Sequence, residues 1–217
     1  VLAPDYHLAR LNYAHVLNKQ EKSQQALLEI ATLEKYQPNV PPQQILKAAI
    51  LVRLGQFAEA IGLYDALIKV LPEQANLYTS RGHALKTIGE QEAAIASYRQ
   101  AIVCAPSYGE AYWSLANLKT FRFEQSEIQL MKKQMEIEQL PALDQINICF
   151  ALGKALEDNK EFEQSFHYYQ LGNACKNTIE RYDADETTAL IERTITTCPS
   201  PVFENNDEQG CSKADPI

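Results

Sequence analysis

The spacing of its prolines is the feature that most constrains how this chain can fold. Pro4, Pro38, Pro72 and Pro106 follow one another at a constant interval. Further columns that share a small or apolar side chain have the same period: Ala14, Ala48, Gly82 and Ala116; Leu17, Leu51 and Leu85; Ala26, Ala60 and Ala94. A fixed period of about 34 residues is typical of a solenoid, in which stacked units bury a continuous core.

Residues 75–108 show what each unit contains. In the first half, Tyr78, Gly82 and Leu85 lie at i, i+4 and i+7, which places them on one face of a helix. Gly89 follows this helix, and glycine readily takes the left-handed conformation of a helix C-cap. We therefore predict that the first helix of the unit ends close to Gly89.

The second half of the same unit predicts a second helix. Ala94, Tyr98 and Ala101 have the spacing of a buried stripe, and Pro106 ends the helix because proline cannot continue the hydrogen-bond ladder. A helix–turn–helix unit of about 34 residues with these side chains resembles the tetratricopeptide repeat (TPR). The resemblance implies an all-α fold: a right-handed TPR superhelix of antiparallel helix pairs, with a C-terminal helix and tail.

The phase of the repeat also predicts how the chain is organised. The expected segments are the end of a truncated repeat at 1–6, TPRs at 7–40, 41–74 and 75–108, a divergent TPR-like unit at 109–145, a TPR with an extended second helix at 146–182, a capping helix at 183–198 and a linker at 199–217. The step from Ala116 to Gly153 exceeds the repeat period, so a three-residue insertion displaces the unit that contains Gly153. In the capping helix, Asp183 or Asp185 is the expected N-cap.

The second half of the chain has a more specific resemblance. Segments 150–158 (FALGKALED) and 164–182 (QSFHYYQLGNACKNTIERY), with the sequence LKTF at 118–121, are similar to the end of the repeat region in bacterial TPR-sulfotransferases. This resemblance implies that a sulfotransferase domain, which uses 3′-phosphoadenosine-5′-phosphosulfate (PAPS), follows in the parent protein. The family's phosphate loop, G-x-P-R-S-G-[ST]-[ST], does not occur in this sequence. We therefore expect no cofactor in this chain and assign PAPS to the absent domain.

Charge and reactive residues disfavour several classes of function. Residues 1–108 carry 10 basic and 9 acidic side chains, and residues 109–217 carry 10 and 19, which gives a net charge of −8. An acidic chain lacks the basic surface that nucleic acids and anionic membranes select, so we predict neither partner. The five cysteines form no C-x-x-C pair, which favours reduced thiols in a cytoplasmic protein. Neither a metal-ligand spacing nor a nucleophile motif is present, so we predict no metal site and no enzymatic activity in this chain.

The first helices of a stacked array line its concave side, and this side is the predicted binding groove. The candidate groove residues are the polar and aromatic side chains that these helices direct inward: His15, Lys19, Arg53, His83, Lys86, Trp113, Asn117, Phe121 and Lys154. Trp113 is the expected aromatic anchor, and Asn117 is the expected clamp for a peptide backbone. Because the set is more basic than the whole chain, the predicted ligand is an acidic peptide or protein segment. The alternative is that these residues form only the solvated inner face of a scaffold.

Two functions remain open at this stage. One is a protein-interaction module that precedes a sulfotransferase domain and recruits a protein or peptide, or mediates self-association into a homo-oligomer. The other is a free-standing TPR adaptor with no enzymatic partner domain. The coding sequence beyond Ile217 distinguishes the two.

Overall fold

The computed structural model describes residues 6–180 and 183–198. These residues form eleven α-helices and no β-strand. The helices are α1 (His7–Lys19), α2 (Ser23–Tyr36), α3 (Pro41–Arg53), α4 (Phe57–Val70), α5 (Ala75–Thr87), α6 (Gln91–Cys104), α7 (Gly109–Ala116), α8 (Gln125–Gln134), α9 (Ala142–Asp158), α10 (Phe162–Ile179) and α11 (Ala184–Thr197). Each helix from α1 to α6 packs against the next one, and both α7 and α8 pack against α9. The all-α fold expected from the period of the repeat is confirmed.

Residues in the left-handed conformation follow four of the five first helices, and Gly89 is one of them, as predicted. Gly55 and Gly89 have φ values of +75° and +87°. The backbone N–H of Gly55 donates to the carbonyl oxygen of Val52 at 3.0 Å. Glu21 and Lys160 have φ values of 63° and 64° at the equivalent turns, although they carry side chains. The turn conformation therefore belongs to the repeat and is only eased by glycine.

Close approach between the two helices of a unit explains the column of small residues. A Cβ atom added to Gly82 would lie 2.5 Å from Cε1 of Tyr98, and one added to Gly153 would lie 2.7 Å from the ring of Tyr169. Each tyrosine belongs to the second helix of the same unit as its glycine. The period of the sequence thus marks the points at which paired helices come closest.

The fourth unit departs from the regular helix pair, because α7 has only 8 residues and α8 has 10. The irregular segment between them contains Phe121 and Phe123, which are both buried and have ring centroids 4.9 Å apart. The prediction that Phe121 lines the groove is therefore wrong. The chain leaves the helix after Ala116, and the two rings pack in the core beside Leu118. Protein interiors are close-packed, so side chains must fill the space beyond the short helix α7, and these two rings do so.

The chain divides into two compact units, residues 1–176 and 177–217. In the second unit the carboxylate of Asp183 accepts hydrogen bonds from the backbone N–H groups of Asp185 and Glu186, at 2.9 and 3.1 Å. Asp183 is therefore the N-cap of α11, as one of the two alternatives predicted. No residue of α11 is buried, and its role as a cap stays a prediction. The predicted linker at 199–217, and residues 1–5 of the predicted truncated repeat, lie outside the described residues.

Candidate functional site

The first helices α1, α3, α5, α7 and α9 form a surface that we call the first-helix face. Within it, α1 contacts α3, α5 contacts α7 and α7 contacts α9. Eight of the nine predicted groove residues lie on or directly after these helices; His15, Lys19, Arg53, Lys86 and Asn117 are exposed, and His83, Trp113 and Lys154 are half-buried. The ninth, Phe121, belongs to the core.

A pocket of about 350 Å³ opens on this face and joins the first three units. We call it the groove pocket, and its lining residues are Asn18, Ala49, Val52, Arg53, Tyr64, Ser80 and His83. They come from α1, α3, α4 and α5, so three successive units contribute to one cavity. None of the seven lining residues is acidic. Arg53 and His83 were predicted from the repeat columns, and the structure brings them to the same cavity.

Tyr64 and Ser80 are the lining residues that were not predicted as site residues. Tyr64 lies on the second helix of its unit, α4. Its repeat column predicts a side chain in the buried stripe of that helix, not in the groove. Tyr64 is only 3% exposed, and its remaining surface faces the pocket. Burial raises the pKa of Tyr64 more than its hydrogen bond with Ser80 lowers it, so its hydroxyl stays protonated at neutral pH. Ser80 lies three residues before His83, which is the helical spacing that could have identified it.

Hydrogen-bond donors dominate the polar part of the groove pocket. The side-chain carbonyl of Asn18 accepts a hydrogen bond from the hydroxyl of Ser23 at 3.2 Å, which leaves the Asn18 amide NH₂ to donate elsewhere. The guanidinium of Arg53 lies 3.9 Å from a carboxylate oxygen of Glu21, and the two side chains are 47% and 86% exposed. An ion pair this exposed stabilises little, so the charge of Arg53 is hardly compensated.

A chain of hydrogen bonds behind the pocket holds His83 in place. Nδ1 of His83 lies 3.0 Å from the hydroxyl of Tyr98, and Nε2 lies 3.2 Å from Oε1 of Glu110. The hydroxyl of Tyr108 donates to the other oxygen of Glu110. This chain, which we call the histidine network, links α5, α6 and the start of α7. It therefore fixes the edge of the pocket relative to the fourth unit.

The electrostatics of the histidine network follow from its burial. Hydrogen bonding by His83, helped by Tyr108, lowers the pKa of the Glu110 carboxyl group, so this group is ionised at neutral pH. Burial and the charge of Glu110 raise the pKa of Tyr98 to about 12. Burial also raises the pKa of Tyr108. Both hydroxyls therefore stay protonated and can donate across the physiological pH range.

Farther along the first-helix face, Trp113 is less exposed than an isolated anchor would be. Its ring centroid lies 5.7 Å from that of Phe150, which in turn lies 6.3 Å from the ring of Tyr169. The ammonium group of Lys154 bonds to the carboxylate of Asp158. The edge of Trp113 is thus supported on one side by aromatic packing, and Lys154 is already paired.

Other chemistry has little support among the described residues. In the ranges 6–180 and 183–198, no group of three or more His, Cys, Asp or Glu side chains is arranged to hold a metal ion. Burial raises the pKa of the Cys149 thiol to about 12, which disfavours the thiolate that a nucleophile requires. None of the described helices is both long enough and apolar enough to cross a membrane.

Comparison with known sequences identifies the repeat. The tetratricopeptide-repeat family model matches residues 75–103. The TPR repeat-containing thioredoxin TTL4 of Arabidopsis thaliana is 36% identical over 77 residues, which are 35% of this chain and 11% of that protein. An uncharacterized protein of Aquifex aeolicus (strain VF5) is 25% identical over 177 residues, which are 82% of this chain and 23% of that protein. The chain therefore spans less than a quarter of either relative.

Comparison with solved structures identifies the fold. The structure of MamA 41-end from Desulfovibrio magneticus RS-1 matches 80% of this chain and 97% of its own, with a TM-score of 0.57 and 16% identity. YrrB, described as a TPR protein with an unusual peptide-binding site, matches 76% of this chain and 84% of its own, with a TM-score of 0.52 and 14% identity. Together with the matched repeat, these similarities show that the chain contains a TPR region with the all-helical TPR fold.

Proposed function

We propose that this TPR region is a protein-interaction module whose first-helix face binds an extended peptide or protein segment. The observation that carries the proposal is the groove pocket, because three successive units supply its walls. A segment laid across α1, α3 and α5 would contact all three at once. Sites that bind a ligand are usually concave and combine apolar walls with a few convergent polar groups, as this pocket does.

The chemistry of the pocket suits a peptide. Ala49 and Val52 give apolar wall, and Asn18, Arg53 and Ser80 bring donors that can meet backbone carbonyls or polar side chains. The hydrogen bonds of the histidine network position one edge of the pocket, and a preorganised surface loses less entropy when a ligand binds. Binding at a preformed surface requires no large rearrangement of the helices.

Filling the pocket tests this proposal. Peptides are selected from a random phage-displayed library on the immobilised 217-residue chain, and their Kd values are measured by fluorescence anisotropy. Ala49→Trp places a large ring in the pocket, whereas the matched variant Ala96→Trp places the same ring on the exposed surface of α6. We expect Ala49→Trp to raise Kd at least tenfold, which corresponds to about 1.4 kcal/mol, and Ala96→Trp to change it less than twofold. Equal Kd values for both variants and the wild type would refute the proposal.

Circular dichroism provides the control for folding. Both variants must keep the helical spectrum of the wild type. Their free energies of unfolding in urea must lie within about 0.5 kcal/mol of the wild-type value, which is the change expected for one surface substitution. If Ala49→Trp is less stable than this, Val52→Ala, compared with Val70→Ala on the exposed face of α4, replaces it as the test.

We further propose that the array precedes a PAPS-dependent sulfotransferase domain in a bacterial, cytoplasmic parent protein. The support is the resemblance of segments 150–158 and 164–182; neither relative named above is described as a sulfotransferase. The coding sequence after Ile217 tests it. A strand followed by a G-x-P-R-S-G loop within about ten residues supports the proposal, because such loops bind phosphate at a helix N-terminus. A stop codon there would instead assign the chain to the free-standing adaptors.

Self-association is the other proposed use of the first-helix face, with a segment of a second copy as the ligand. Sedimentation of the wild type and of Ala49→Trp separates this case from binding of a foreign peptide. A dimer that Ala49→Trp disrupts and Ala96→Trp retains would support it, and a monomer at all concentrations tested would refute it.

A further inference from the structure

We propose that the groove pocket is a subsite for the side-chain carboxylate of an aspartate or glutamate inside the bound segment, and that Arg53 is the residue that binds it. This inference rests on the proposed function, because it specifies which peptides the first-helix face takes. Two observations support it. The pocket lining contains hydrogen-bond donors and the cation Arg53, and it contains no acidic residue.

Arg53 has the properties of a carboxylate receptor. Its guanidinium presents a planar fork of N–H donors that matches a carboxylate in two parallel hydrogen bonds. Its side chain is 47% exposed, and the nearest carboxylate, that of Glu21, is 3.9 Å away and 86% exposed. A ligand carboxylate can displace this loose partner at small cost, because ion pairs at exposed positions contribute about 0–1 kcal/mol.

Two neutral side chains that can donate hydrogen bonds, Asn18 and Ser80, line the same pocket as Arg53. The amide NH₂ of Asn18 is free to donate because its carbonyl already accepts from Ser23 at 3.2 Å. Ser80 contributes a hydroxyl to the same cavity. A carboxylate has about four lone-pair sites, so a receptor that combines one guanidinium with neutral donors satisfies more of them than a lysine alone could.

The histidine network contains one carboxylate, that of Glu110. Its repulsion of a ligand carboxylate in the groove pocket is weak. Glu110 is not part of the lining, and its two oxygens are held by His83 and by the hydroxyl of Tyr108. Beyond the pocket, Lys19 and Lys86 are exposed on the helices to either side of α3, so the surrounding field on this face also favours an acidic ligand.

The position of the pocket favours a side chain over a chain terminus. The lining spans α1 to α5, and the first-helix face continues to α7 and α9 with Trp113 and Phe150. A segment that uses both the pocket and the aromatic pair must pass through the pocket and continue, so its carboxylate at that point comes from a side chain.

A two-by-two comparison of peptide and protein tests the assignment. The probes are fluorescein-labelled hexa-aspartate and hexa-asparagine with amidated C-termini, and hexa-asparagine with a free C-terminal carboxylate as a third probe. Each is titrated by anisotropy at low salt against the full 217-residue chain. The protein variants are Arg53→Gln and the control Lys69→Gln, which removes one positive charge from an exposed position on α4. We expect Arg53→Gln to raise Kd for hexa-aspartate about tenfold or more, since hydrogen bonds to charged groups are worth about 1.5–3 kcal/mol, and to change Kd for hexa-asparagine less than twofold.

Several results would overturn the inference. Equal effects of Arg53→Gln and Lys69→Gln would show that the peptide is attracted by the overall positive charge and that Arg53 has no specific role. Equal binding of hexa-aspartate and hexa-asparagine would show that no carboxylate is recognised. If only hexa-asparagine with a free C-terminal carboxylate binds in an Arg53-dependent way, the subsite takes a chain terminus and the assignment is wrong. The Ala49→Trp variant tests the proposed function independently of Arg53. If it loses peptide binding while one of these results is found, the groove still binds peptides and only the role of Arg53 is refuted.

Discussion

The contact between Gly82 and Tyr98 makes a quantitative prediction about how tightly the helices of a unit are packed. A methyl group at Gly82 would lie 2.5 Å from Cε1 of Tyr98, and the tyrosine is fully buried. Overpacking of this kind costs about 1–3 kcal/mol. Replacing glycine by alanine inside a helix also stabilises the helix by about 1 kcal/mol. Gly82→Ala should therefore lower the free energy of unfolding by about 0–2 kcal/mol.

Gly62 provides the matched control because it lies inside α4 and an added Cβ would meet no atom within 4 Å. Gly62→Ala should stabilise the protein by about 1 kcal/mol, because only the higher helix propensity of alanine contributes there. The difference between the two variants, about 1–3 kcal/mol, isolates the steric contact from helix propensity. The variants are compared by urea unfolding followed by far-ultraviolet circular dichroism.

A double variant tests whether the ring of Tyr98 is the obstacle at Gly82. Ala14 and Ile30 occupy the columns of Gly82 and Tyr98 in the first unit. If the ring of Tyr98 is the obstacle, the double variant Gly82→Ala/Tyr98→Ile must be more stable than the sum of the two single changes predicts. Equal stabilisation by Gly82→Ala and Gly62→Ala, or strict additivity in the double variant, would show that close approach is not the reason for the small-residue column.

Three further variants test single features of the structure. Gly89→Ala should lower the free energy of unfolding by about 1 kcal/mol, measured in urea, because φ is +87° there. Tyr98→Phe should flatten the alkaline loss of stability: the raised pKa, about 12 against 10.0 for an ordinary tyrosine, favours the folded state below pH 10.0, and this contribution disappears as the pH rises to about 12. Glu110→Gln should flatten the acid loss of stability, because the lowered pKa of the carboxyl group contributes stability above pH 4.5 that is lost as the pH falls below that value. Both pH effects are read from urea midpoints across the stated ranges, and a profile identical to that of the wild type would contradict either one.

The sequence predicted the helices well because its period reports contacts that are the same in every unit. Gly89 was predicted to end a first helix, and Gly55, one period earlier, has the same conformation. Gly82 belongs to the small-residue column, and in the structure this column is where paired helices approach closely. Such contacts are local, and each occurs again one period later or, beyond the insertion, at the correspondingly displaced position. Repetition therefore makes them visible in a single sequence.

Features that occur only once could not be predicted in the same way. Phe121 had the column of a groove residue, but the short α7 moves it into the core. The histidine network joins His83 to Glu110 across two units, and no periodic column signals such a contact. Trp113 was predicted as an exposed anchor, whereas in the structure it is half-buried and its ring centroid lies 5.7 Å from that of Phe150.

Hydrogen–deuterium exchange with and without a bound peptide locates the surface of this protein that the peptide covers. The peptide is the tightest binder from the phage selection, at a concentration of about 100 Kd, where binding stabilises the bound region by about 2.7 kcal/mol. We expect added protection in the first helices α1, α3 and α5, which line the groove pocket, with little change in the second helices α2 and α6. Protection concentrated in α2 and α6 would show that the opposite surface binds the peptide, and would refute binding at the first-helix face.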